Sequence, residues 1–256
     1  MILTDDFVFL HPPKTGGTFA GAMIHRLYPD RRRQLLERLR GVRPLGRPAR
    51  QEVHKHAPRH RIPASHAHLP VPATVRSPYE SYVSTYEFKE WAKGRRNPEF
   101  ASYDWDRIEA DFPTFPQLSF TDFLAVFGRV GYRIDTPDRP DLGWCTVRYA
   151  NQFVPAPAPD VRSPLAEIVA AVVERTRDVR FIHTENLNRE LYDALGEVGV
   201  PPQRRAFILD AAKVLPTKGG RRADQPWRSY YTDETRDLVR RIDAPMFERF
   251  PEYQEL

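Results

Sequence analysis

The chain has 256 residues, 41% of them hydrophobic and 29% charged, and a formal net charge of +5. This fits a globular protein of one large domain or two small ones. No run of about 18 apolar residues occurs, which argues against a membrane-spanning helix. The single cysteine, Cys145, rules out an intrachain disulfide and makes a cysteine-built zinc site implausible.

The opening "MILTDDFVFL" has neither a basic n-region nor an A-x-A-like cleavage site. With one lone cysteine, a reducing cytoplasm is the expected location. The charge is unevenly spread. Between Arg31 and Arg61 there are eleven Lys/Arg against two Glu, and the rest of the chain is net negative. Such a block attracts anions or forms a solvated basic surface. Nothing beside it resembles a stacking platform or a DNA-reading module.

Taken in chain order, residues 7–11 read as a short buried strand closed by Pro12-Pro13. A helix is expected from Gly17 or Thr18 to about Tyr28, with Ala20, Met23, Ile24 and Leu27 as its apolar stripe and Pro29 as its stop. Residues 31–40 suggest a basic helix, and 41–70 a loop rich in Pro, Arg and His. A strand is expected at 71–76. Ser77-Pro78 then opens a helix with Ser77 as N-cap, running to about Lys93 and capped by Gly94.

Residues 95–118 are polar and aromatic-rich, an irregular lid or substrate loop. Ser119–Phe127 reads as a helix opened by Thr121-Asp122, and 129–164 as loop, with six prolines. Leu165–Arg175 is helical in pattern, Val179–His183 is a strand, and a further helix ends at Gly199. The stretch "TKGGRRADQPWRSYYT" reads as a basic loop. The last helix takes Thr232 as N-cap, with Asp233 and Glu234 in its first turn, where they suit the helix dipole. Helices alternating with short apolar strands predict an α/β domain with a mainly parallel sheet.

The loop "HPPKTGGT" carries the chemistry. A strand-to-helix turn aims backbone N–H groups at one point, where the helix dipole adds about half a positive charge. Gly16 and Gly17 allow close backbone approach. Thr15 and Thr18 offer hydroxyls, and Lys14 a full charge. The set fits a phosphate or phosphosulfate. The ATP-type loop places its lysine after the glycines, yet no Gly-Lys dipeptide occurs in the chain. The dinucleotide fingerprint is absent from this loop too.

"FVFLHPPKTGGT" resembles the phosphosulfate-binding loop of the sulfotransferases. These enzymes move a sulfuryl group from phosphoadenosyl phosphosulfate (PAPS) to an acceptor. The likeness is to the carbohydrate branch, which includes heparan sulfate hexuronyl enzymes, in a bacterial-type form. "TVRSPYESYVSTY" resembles the family's segment for the donor's 3′-phosphate, with Arg76 and Ser84 at the phosphate-binding positions. Ser77 and Ser81 depart from that pattern. "VRFIHTENL" and the C-terminal "WRSYYTDETRDLVRRIDAPMFERF" resemble later family segments more diffusely. "PTKGGRRADQPW" sits where the family has a nucleotide-contacting loop.

The resemblance implies a P-loop-like three-layer sandwich, its mainly parallel central sheet flanked by helices. It implies one domain over 1–256, with an insertion around 95–164 as an acceptor-side lid. The implied donor-binding residues are Lys14, Thr15, Gly16, Gly17, Thr18, Phe19, Arg76 and Ser84, with Lys218, Gly219 and Arg221 from the late loop. The implied donor is PAPS, leaving phosphoadenosine phosphate (PAP), with no metal. The partner is a hydroxyl acceptor, a glycan or glycolipid, and no nucleic acid.

Sulfuryl transfer needs a base, and "EVHKHAPRHRIPASHAH" holds five of the eight histidines. Histidine accepts protons near neutral pH. The carbohydrate enzymes carry a His-Gly-His segment between the two donor motifs, and His54-Lys55-His56 falls in that interval. His56 is the expected base, Lys14 the electrostatic catalyst, and His54 a helper or acceptor contact. A histidine without catalytic duty is the alternative for each. Asp104/Asp106 and His56/His60 lack an evident third ligand and read as no metal site. An ATP-dependent kinase-like enzyme and a non-catalytic polyanion binder are the competing functions.

Overall fold

The structure is a computed structural model and describes residues 1–28, 50–52 (backbone only), 54–212 and 225–254. In chain order the elements are β1 (Ile2–Thr4), β2 (Val8–Phe9), α1 (Gly17–Leu27), β3 (Arg50–Glu52), β4 (Val71–Val75) and α2 (Pro78–Phe88). Then come α3 (Trp105–Asp111), α4 (Phe120–Phe123), β5 (Arg129–Val130), β6 (Arg139–Gly143), α5 (Trp144–Phe153) and α6 (Leu165–Glu174). β7 (Val179–His183), α7 (Leu187–Glu197), α8 (Pro202–Arg205), α9 (Asp233–Ile242) and α10 (Ala244–Arg249) complete them. The chain divides into two compact units, Met1–Arg76 with Arg177–Leu215, and Ser77–Thr176 with Pro216–Leu256.

The first unit is mixed α/β, the expected class. β4 pairs in parallel with β7, from Val71↔Val179 to Val75↔His183. On its other side β4 meets the end of β2 through a parallel bridge, Leu10↔Ala73. Val8 N–H donates to Pro70 O at 2.9 Å and Thr74 N–H to Leu10 O at 3.2 Å. Three chain directions therefore agree, and the loops leaving β2, β4 and β7 start from one edge. β1 runs antiparallel to both β2 and β3, an extension that the apolar pattern did not predict.

β2 and β4 form because their residues are buried throughout, each of them inaccessible or nearly so. α1 and α7 cover the sheet through Phe19, Ile24, Leu27, Leu191 and Leu195, which pack with Phe7, Phe9 and Ile182. Each such side chain contributes about 1.5–3 kcal/mol by leaving water. α7 ends in a left-handed Gly199 (φ 86°). Val200 N–H reaches back to Leu195 O at 2.9 Å, which satisfies a terminal carbonyl.

The second unit departs more from expectation. α2 stops at Phe88, five residues short of the expected end, because Lys89 turns left-handed (φ 57°). The cause is tertiary: Trp91 is buried, and its indole N–H donates to Tyr86 O at 3.1 Å. Gly94 lies inside the following 3-10 stretch, Glu90–Arg96, and does not cap α2. Ser77 holds the N-cap position, but its hydroxyl makes no capping bond. α4 is capped by Ser119, in a reciprocal box with Asp122, two residues before the expected opening.

The stretch 95–164 is not irregular. It holds α3, α4, β5, β6 and α5. Trp91, Tyr103 and Trp105 are buried and pack with Phe127 in an aromatic core. Asp104 caps α3 through Arg107 N–H, and Asp106 pairs with Arg95, so this acidic pair has structural work. At the α9–α10 junction the fully buried Asp243 accepts from Thr146 N–H at 2.7 Å and Thr146 Oγ1 at 2.8 Å. Its Oδ2 lies 2.6 Å from Tyr82 Oη. Gly143 is required beside it, because a Cβ there would come within 2.3 Å of the carboxylate.

Candidate active site

The loop between β2 and α1 is held from below. Thr15 Oγ1 donates to Pro12 O at 2.9 Å and lies 2.7 Å from Thr74 Oγ1. Thr15 has one hydroxyl proton, and the carbonyl takes it, so Thr74 donates to Thr15. The Thr15 hydroxyl is therefore committed inward, a correction to its expected role as an anion donor. Its side chain anchors the loop to the buried strand β4.

Above this anchor the backbone is unusual. Lys14 has φ 68° and Gly16 has φ 75°. A left-handed lysine is a sparsely populated conformation, the kind that persists where neighbouring structure dictates it. Gly16 is the N-cap of α1, with no side-chain capping bond. The first intrahelical bond is Ala20 N–H to Gly16 O at 3.2 Å. The N–H groups of Gly17, Thr18 and Phe19 therefore have no partner within the helix and face its N-terminal end. Phe19 itself is buried in the core, so only its backbone belongs to the site. Thr18 is exposed.

Gly17 is fixed by space. A Cβ there would lie 2.2 Å from His11 Nδ1. Gly16 is fixed by both φ and space, since its Cβ would meet Leu187 Cδ2 at 2.7 Å. Arg76, one residue beyond β4, donates from Nη1 to Lys14 O at 3.2 Å. The structure thus brings Lys14, the start of α1 and Arg76 together within one unit. Ser84 is half-buried on α2 in the second unit. Lys218, Gly219 and Arg221 lie outside the described residues, as does most of the basic block.

His54, Lys55 and His56 form a turn closed by Ala57 N–H to His54 O at 2.9 Å. The Met1 amino group donates to the His54 and Lys55 carbonyls at 3.0 and 2.7 Å. His56 Nδ1 lies 2.9 Å from His11 O. A carbonyl only accepts, so Nδ1 carries the proton, and neutral His56 keeps its lone pair on Nε2. Burial pushes the His56 pKa below the ordinary imidazole value and outweighs the bond to His11 O, which raises it.

His11 is more deeply set, stacked on Phe9 at 5.7 Å and edge-on to His56 at 5.2 Å. Burial, reinforced by the nearby amino terminus, takes its pKa down to about 3. It is a neutral structural ring. His54, His60 and His68 are exposed, and His66 lies 2.8 Å from Ser65 Oγ. Among the described residues, no group of three or more His, Cys, Asp or Glu is arranged to hold a metal ion, and no helix is long and apolar enough to cross a membrane.

Two parts of this arrangement escaped the sequence reading. One is Thr74, whose only signal is a hydroxyl inside an otherwise apolar strand. The other is the His183–Glu190 pair at the end of β7, where Glu190 Oε2 lies 2.8 Å from His183 Nδ1.

No family model matches the chain, and no curated protein matches it. Among solved structures, the crystal structure of mouse sulfotransferase SULT7A1 complexed with PAP is similar at 17% identity with a TM-score of 0.44. The match covers 95% of this chain and 84% of that one. It is a weak likeness by both measures.

Proposed function

We propose that the chain is a PAPS-dependent sulfotransferase that sulfates a hydroxyl of a saccharide. The carrying observation is the convergence of Lys14, the N-terminal end of α1 and Arg76, joined by the bond from Arg76 to Lys14 O. This is a seat for a multiply charged anion with two phosphate-like groups. The order of lysine before glycines separates it from the ATP-type loop. The saccharide part of the reading draws on the resemblance to the carbohydrate branch and on the basic block that flanks the histidines in the sequence.

On this reading, Lys14 and the N–H groups of Gly17, Thr18 and Phe19 hold the phosphosulfate and Arg76 holds the 3′-phosphate, a role the resemblance extends to Ser84. Lys218, Gly219 and Arg221 are further donor contacts on the resemblance. PAPS supplies an activated sulfuryl group. His56 Nε2 takes the acceptor's hydroxyl proton as its oxygen attacks sulfur in line. The bond from sulfur to the bridging phosphate oxygen breaks, and its electron pair leaves with PAP. Lys14 and the helix end stabilise charge growing on that oxygen. Such preorganised stabilisation is often the largest catalytic contribution. His54, exposed on the same turn, is assigned to the acceptor side.

The deciding experiment is transfer of radiolabelled sulfate from PAPS across a panel of saccharides, glycolipids and phenols, with and without chelator. Label in a saccharide, independent of chelator, supports the proposal. Phosphate transfer from ATP, or salt-sensitive polyanion binding with no turnover, defeats it.

A further inference from the structure

We infer that Glu190 is a positioning residue for the anion-binding loop, acting through the turn between β7 and α7. What the loop holds rests on the function proposed above; the coupling itself rests on geometry alone.

β7 ends at His183, the register partner of Val75, and Arg76 directly follows Val75. The next residues, Thr184–Asn186, form a 3-10 turn that leads into α7 at Leu187. This turn is the surface on which Gly16 sits. A Cβ on Gly16 would lie 2.7 Å from Leu187 Cδ2 and 3.4 Å from Thr184 Cγ2. Gly16 also carries the carbonyl that starts α1, and it is held at φ 75°. Its place therefore depends on where Thr184 and Leu187 stand.

Glu190 fixes that place. It sits in the first turn of α7 and bends back across the 3-10 turn. A single oxygen, Oε2, accepts from His183 N–H at 2.7 Å and lies 2.8 Å from His183 Nδ1. Both side chains are largely shielded, at 19% and 22% accessible. Hydrogen bonds to an ionised acceptor in a shielded place are among the stronger ones. The clasp spans the whole turn, from the last residue of β7 to the first turn of α7.

The rest of α7 has its own anchorage. Leu191, Ala194 and Leu195 are each about 1% accessible in the core of this unit. Loss of the Glu190 carboxylate therefore releases the turn and leaves the helix seated. Neither Glu190 nor His183 is needed to touch the donor for the effect to appear.

The test measures amide exchange of the full-length protein in wild type, Glu190→Ala and Glu190→Gln, followed by calorimetric titration with PAP. The reporter is Ala20, whose N–H is bonded to Gly16 O. Glu190→Ala should speed exchange at Ala20 by about tenfold while amides of α5 keep their wild-type rates, because local opening is separable from global unfolding. PAP should bind that variant about tenfold more weakly, and Glu190→Gln, which keeps an accepting oxygen, should recover most of both losses.

Unchanged exchange at Ala20, or equal acceleration throughout the protein, overturns the inference. So does Glu190→Ala binding PAP as wild type does. Failure of wild type to bind PAP overturns the donor assignment instead, and the exchange measurement then judges the coupling by itself.

Discussion

Arg76 donates from Nη1 to the carbonyl of Lys14 at 3.2 Å. Sixty-two residues separate the two in the chain. The bond braces a lysine held at φ 68° and sets a guanidinium beside the glycine loop. A group that both braces the loop and carries charge should be hard to replace. Arg76→Ala should weaken PAP binding by about 1.5–3 kcal/mol, the usual worth of a hydrogen bond to a charged group. Arg76→Lys should recover only part, since it offers a point charge in place of a planar fork. Isothermal titration without added metal checks both; wild-type affinity in Arg76→Ala sinks the donor assignment.

Gly17→Ala addresses the loop's shape. The added methyl would meet His11 at its Nδ1, Cγ and Cβ, all within 2.6 Å. His11 is stacked on Phe9 and has little room to retreat. Overpacking of this kind costs about 1–3 kcal/mol. The variant should melt at a lower temperature and lose PAP binding, as read by circular dichroism and titration. A stable variant with full affinity contradicts the close contact.

His56 should be dispensable for folding and needed for turnover. His56→Ala should keep its PAP affinity and lose about 10²–10⁴ in kcat, the range for a general base. Its pKa lies below 6.5 in the fold, chiefly because it is buried. The base is then active above that lowered value, so the acid limb of kcat against pH should fall below 6.5. The same shift makes stability fall as pH drops from 6.5 through the folded pKa, because only the unfolded chain charges easily. A limb above 7, or a fully active His56→Ala, removes His56 from the role.

Asp243 offers a pH effect of opposite sign. Burial pushes its carboxyl up to about 6 from 3.8. Tyr82 Oη lies 2.6 Å from both Gly128 O and Asp243 Oδ2, with one proton to give. In the acid form, Asp243 supplies a proton to Tyr82, whose own proton then goes to Gly128 O, and every acceptor is served. The group's contribution is therefore fully present below pH 3.8 and lost as pH rises through about 6. The size is on the order of 3 kcal/mol across that window. Asp243→Asn mimics the neutral form and should be more stable than wild type at pH 8, with the gap closing towards pH 4. Denaturant melts at the two pH values decide; an Asn variant less stable at pH 8 refutes the proton count.

The elements most legible in the sequence are those whose own residues dictate them. β4 and β7 are short apolar runs, and α1 combines a glycine start with an apolar stripe, so each was expected within a residue or two of its true bounds. α5 was hidden because Gly143 offers no capping side chain and the following "WCTVRYANQF" mixes β-branched, aromatic and polar residues. What makes it a helix is distant: Thr146 on its first turn is claimed by Asp243, ninety-seven residues away. The early end of α2 likewise depends on Trp91 finding a buried place. In the site, residue types and their order were readable from local motifs. The inward turn of the Thr15 hydroxyl and the tautomer of His56 were not, since Thr74 and His11 O come from 59 and 45 residues away.

The Thr15–Thr74 contact has a kinetic corollary. A cradle already bolted to the sheet has little disorder to surrender when its guest arrives. Capture of the nucleotide should then be a single fast encounter, steered by Lys14 and Arg76, with no slow ordering phase after it. Unbolting the cradle by Thr15→Val should leave the charge unchanged and bring that missing phase into view.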